Sequence, residues 1–223
     1  MQDPLNGFDW KSLYSGYDSK CLGYAKESVY LAAFGIDRPT TDRALYYKLI
    51  KAFSKEQRAL SNELIGIYEA LLYWKLYSQS TSPYNLNKWF RQDVSKRKYV
   101  EENLLCLFQE IPDSLERTPS AVLDMVKWLG RFSLPGMASS GALPVRTTFL
   151  HFIFPSVVPI FDQMVLKAVG SWTTNANHNA SVLKEYLPFA WDLADRYAQN
   201  CSGFEKESPI RVIDMALWVG RGK

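Results

Sequence analysis

One carboxylate stands apart by its surroundings. Asp162 lies in Val158-Pro-Ile-Phe-Asp162-Gln-Met-Val165, shortly after an apolar stretch that closes at Phe154-Pro155. Apolar residues on both sides deliver it to a partly dry place, where a charged group acts more strongly than in water. A carboxylate so placed can work as an acid or base, or oppose a developing positive charge. The same position suits a helix N-cap, because Gln163 to Val169 reads as helical and aspartate accepts the N–H groups of a first turn. The two roles are compatible. No second carboxylate stands in a comparable sequence context.

Other chemistries find fewer residues. The chain has two histidines, His151 and His178, and three widely separated cysteines, Cys21, Cys106 and Cys201. That pattern offers neither a zinc site nor a disulfide framework, so no metal and no cofactor is expected. His151 follows Thr147 by four residues, which puts it either on a pocket wall or in the core as a hydrogen-bonded histidine. His178 sits in an Asn-rich loop and reads as exposed. Aromatic residues make up 14% of the chain, and Trp74, Trp128 and Trp218 fall in apolar stripes that read as core. Tyr24, in Gly-Tyr-Ala-Lys-Glu-Ser28, and Phe161, beside Asp162, are the aromatic candidates for a substrate pocket.

The elements that must position these residues are helical. Apolar residues recur at Leu45, Leu49 and Phe53, at Leu60, Leu64, Ile67, Leu71 and Trp74, and at Val100, Leu104, Leu107 and Ile111. Sustained two-residue alternation is absent, so the spacing predicts an all-α fold. Thr118-Pro119, Leu143-Pro144 and Ser208-Pro209 place proline in first turns, where its missing N–H costs nothing. Breaks fall at Ser78 to Pro83, Ile111 to Ser114, Ser133 to Ala142 and Gly170 to Asn179.

At 223 residues, 47% hydrophobic and 22% charged, the chain can bury one substantial core or two helical lobes sharing a cleft. The opening Met1 to Gly7 has no apolar signal core, and no apolar run reaches the ~18 residues that span a bilayer, so a cytoplasmic location is expected. A net charge of +3 is compatible with a polyanionic partner without requiring one. The basic run Ser95-Lys-Arg-Lys-Tyr99 reads as a solvated helix start, with a phosphate contact as the alternative.

In order along the chain, Leu134-Pro135-Gly136, the apolar stretch from Val145 to Phe154 and Val158 to Val165 resemble the helix-hairpin-helix DNA glycosylase superfamily. There Leu-Pro-Gly opens the hairpin, a short apolar helix follows, and an essential Asp heads the next helix. Val158 to Val165 is similar to the Phe-Pro-Ile-Leu-Asp-Gly-Asn-Val type of segment in adenine-mismatch glycosylases. Glu185 to Tyr197 and Pro209 to Gly220 are similar to the helices that close the catalytic barrel, so the resemblance covers Pro119 to Gly220.

The resemblance implies a single all-α domain over 1–223, with an N-terminal lobe at about 1–118 and a hairpin and catalytic lobe at about 119–223 around a cleft. It implies a monomer acting on duplex DNA with a flipped base, and a catalytic Asp162. Gly136, Ser139, Ser140, Gly141 and Arg146 would meet the DNA backbone, and Tyr24, His151 and Phe161 would line the base pocket. The turn is longer than the family's Gly-x-Gly, and Arg146 stands where bifunctional relatives carry a Schiff-base lysine. Hydrolysis without strand cleavage follows. The chain stops at Gly220-Arg-Gly-Lys223, where some relatives continue into an iron–sulfur loop, so no cluster is expected. The alternatives are a non-catalytic nucleic-acid-binding module, or a related barrel enzyme that acts on the modified base without excising it, or a hydrolase of free nucleosides.

Overall fold

The computed structural model describes residues 1–13, 41–60, 64–76, 93–204 and 206–220. Among these, helices are the only extended elements and no strand is formed. They are α1 (Asp42–Phe53), α2 (Lys55–Leu60), α3 (Leu64–Leu76), α4 (Val94–Glu110), α5 (Pro119–Leu129), α6 (Leu143–Ile153), α7 (Gln163–Ala168), α8 (Ala180–Tyr197) and α9 (Pro209–Gly220). The all-α expectation is met. Tyr24 lies outside the described residues.

The chain forms two compact units, and they do not divide at residue 118. One unit takes 1–20, 114–128 and 140–223; the other takes 21–113 and 129–139. The N-terminal segment joins the C-terminal helices because its backbone and side chains find partners there. Gln2 N–H donates to Val169 O at 3.0 Å, and Asp3 accepts from Arg196 at 2.6 Å and from the Tyr197 hydroxyl at 2.9 Å. Trp10 packs at a tilt against Tyr197 with ring centres 5.3 Å apart, and Leu5 and Leu13 are buried.

In the unit built from α1 to α4, α3 is the middle helix and packs against α1 and α4. It is buried on all sides from Leu64 to Trp74, as expected of a helix that is apolar all round. By contrast, α4 buries only Val100, Leu104 and Leu107. Its basic start is a solvated face, with Lys96 and Lys98 in exposed ion pairs with Asp93 and Glu102. Residues 129–139 belong to this unit through buried Leu134 and Met137 and a 2.6 Å hydrogen bond from the Tyr68 hydroxyl to Pro135 O.

In the other unit, α9 is the apolar centre, buried from Ile210 to Leu217, with α7 and α8 packed on it. The proline starts function as the sequence predicts. Thr118 Oγ1 accepts from Ala121 N–H at the head of α5, and Ser208 Oγ accepts from Arg211 N–H at the head of α9.

Candidate active site

Asp162 sits at the N-cap of α7 with extended backbone (φ −153°, ψ 179°) and is half-buried. Its Oδ1 accepts from Met164 N–H at 2.7 Å and Val165 N–H at 3.2 Å. These two bonds answer first-turn N–H groups that the helix itself leaves unpaired.

The irregular segment that carries Asp162 is fastened from three sides. Ser208 Oγ donates to Pro155 O at 2.6 Å, and Trp191 Nε1 on α8 donates to Val157 O at 2.7 Å. On α6, His151 Nδ1 meets Val158 O at 2.8 Å, and Thr147 Oγ1 accepts from Phe161 N–H at 3.2 Å. A carbonyl can only accept, so His151 carries its proton on Nδ1. The four-residue spacing of Thr147 and His151 puts both on one side of α6, against the backbone of 158–161. Each bond answers a backbone group that would otherwise cost about 1–3 kcal/mol if buried unpaired.

His151 takes the second of its two expected places, that of a hydrogen-bonded core histidine, and Phe161 lies in the core as well. His151 is fully buried and held by Val158. Phe161 is also fully buried, its ring centre 5.6 Å from that of Tyr186 on α8.

Arg146 likewise departs from its expected role at a phosphate. It is 6% exposed, and its NH1 donates to Val126 O near the end of α5 at 3.2 Å. Burial pulls the guanidinium below its ordinary pKa. The residue ties α6 to the carbonyl end of α5, where a cation is favourable.

The turn between α5 and α6 retains small, exposed residues. Leu134 O accepts from Met137 N–H at 3.0 Å across Pro135 and Gly136, and Gly136 has φ +79°. Proline followed by a left-handed glycine marks a type II turn. Gly136, Ser139 and Ser140 are exposed and Gly141 is half-buried. A Cβ on Gly141 would come within 3.1 Å of the His178 ring, which bonds the Gly141 carbonyl through Nδ1.

Sequence reasoning missed two buried polar features of this unit, the Tyr186 phenol and the Arg211–Asp214 pair. Tyr186 on α8 is 1% exposed, and burial, then the charges of Asp214 and Asp162, hold its phenol pKa well above the usual value. Asp214 on α9 is itself buried and paired with the buried guanidinium of Arg211. Asp162 is therefore not the only carboxylate with a special setting: Asp214 is buried and ion-paired. The signal in the sequence is an i,i+3 Arg–Asp pair set inside the apolar run Ile210 to Leu217.

Among the described residues no group of three or more His, Cys, Asp or Glu is gathered to hold a metal ion, and no helix is long and apolar enough to cross a membrane. Comparison with family models, with curated proteins and with solved structures finds no match to this chain.

Proposed function

We propose that the chain is a monofunctional DNA N-glycosylase of helix-hairpin-helix type, with Asp162 as its catalytic carboxylate. The observation that carries this reading is the setting of Asp162: a half-buried carboxylate at a helix head, on a segment whose backbone is held by Thr147, His151, Trp191 and Ser208. A catalytic group must be held still by its surroundings, and this one is.

In the reaction, the C1′–N bond of a flipped nucleotide breaks with its electron pair leaving on the base. Positive charge builds on the sugar, and the Asp162 carboxylate opposes it. Water adds to C1′ and gives up a proton, the departing base gains one, and an abasic site remains. The exposed turn of Gly136, Ser139 and Ser140, with Gly141, supplies the small residues that let main-chain N–H groups approach phosphate. Arg146 has no lysine amine to form a Schiff base, so the strand stays intact.

A second reading, a binding module without catalysis, is favoured by one fact: the two N–H bonds to Asp162 Oδ1 are by themselves a sufficient reason for an aspartate there. Labelled duplexes carrying a panel of damaged, mismatched and modified bases separate the two. Incubation followed by hot alkali breaks the strand at an abasic site if a base has been released. Binding without breakage on every duplex favours the module.

A further inference from the structure

Gly141, the last small residue of the turn before α6, has no left-handed backbone that would call for glycine. What calls for it is a neighbour. A Cβ built there would meet His178 Nδ1 at 3.1 Å and the His178 Cβ and Cγ at 3.3 Å, closer than side chains ordinarily pack, while Nδ1 bonds the Gly141 carbonyl. A carbonyl can only accept, so the ring carries its proton on Nδ1, and Asn177 Nδ2, which can only donate, meets Nε2 at 3.3 Å. Both ring nitrogens have partners. The ring also stands on a firm base, because His178 ends the 3-10 turn Ala176–His178, whose Ala176 is buried and which packs against α6, α7 and α8. Bonds from Ala176 N–H to Thr173 O at 3.0 Å and from His178 N–H to Asn175 O at 2.9 Å close that turn on itself, and Asn179 goes on to cap α8.

We propose that His178 is a positioning residue for Gly141, its Nδ1–H bond and the packing of its ring fixing the backbone where the chain enters α6. The peptide bond is planar, so the Gly141 carbonyl and the Ala142 N–H share one plane and point opposite ways. Holding the carbonyl therefore also aims the Ala142 N–H at the head of α6. The consequence for DNA rests on the proposed approach of this turn to phosphate: main-chain groups that are already aimed lose less freedom on binding. Glycine at 141 and histidine at 178 are then two halves of one device, since any side chain at 141 would push the ring off the carbonyl.

The contact itself is measurable without DNA. In nitrogen-labelled histidine NMR, with the His178 signals assigned from their loss in His178→Asn, the neutral ring of the wild type should carry its proton on Nδ1. Gly141→Ala should abolish that signature although the ring is still present. A neutral wild-type ring protonated on Nε2, or a signature unmoved by Gly141→Ala, overturns the proposal. With duplex DNA, His178→Ala should weaken binding about fivefold, the effect of one hydrogen bond, seen on a cleavable duplex as a raised KM with kcat unchanged. His178→Asn, whose amide N–H can stand in for Nδ1–H, should recover most of that loss. Binding by His178→Ala at wild-type strength, or equal weakness in the two variants, overturns the positioning role. Wild type that binds no duplex sinks the nucleic-acid readings, while the NMR result still stands or falls by itself.

Discussion

Thr147 and His151 hold the backbone on which Asp162 is mounted. Thr147 Oγ1 donates to Leu143 O at 2.9 Å within α6 while accepting Phe161 N–H, so both sides of the hydroxyl are used. Thr147→Val keeps the shape and leaves that buried N–H unanswered. The expected loss is about 1–3 kcal/mol, read as a lower urea midpoint with unchanged slope. Arg146→Ala belongs to the same class. It should lower stability through the lost Val126 tie and leave the salt dependence of DNA binding unchanged, since a phosphate contact would instead flatten that slope by about one counterion.

At the scale of elements, the helices were legible because apolar spacing and proline starts act locally. The proline start at Thr118-Pro119 heads α5, the apolar stretch from Val145 falls in α6, and Asp162 heads α7. The side chains around Asp162 were not legible. Tyr186 sits in an ordinary apolar stripe of α8, and only folding brings its ring against Phe161, the residue before Asp162. The partners of the N-terminal segment were not legible for a similar reason: nothing local marks Met1 to Leu13 as partners of Val169, Arg196 and Tyr197. That segment also carries a pH signature. Burial alone would raise the Asp3 pKa, but the hydrogen bonds from Leu5 N–H, Tyr197 and Arg196 outweigh it and leave the pKa lowered. A depressed folded pKa contributes stability that is present above the unfolded carboxylate range and lost as pH falls through the folded value. Asp3→Asn should therefore destabilise at neutral pH, and the gap from wild type should close as pH drops below about 4. Melting curves across that range test it; a gap that stays constant contradicts it.

At the scale of the whole molecule, the account joins a weakly basic chain, with net charge +3, to a held carboxylate and an exposed glycine turn. With no lysine at the position of Arg146, borohydride should trap no covalent protein–DNA adduct, and strands should break only after alkali. Strong trapping would point to another amine, such as Lys167. The most direct measurement compares wild type with Asp162→Asn in single-turnover base release, on whichever duplex of the panel wild type cleaves, with duplex binding and melting temperature measured alongside. The amide keeps the size of the side chain and its hydrogen-bond acceptor while removing the charge that opposes the sugar cation. The account predicts that base release is abolished while binding and melting remain near wild type. Base release by Asp162→Asn at the wild-type rate would contradict it.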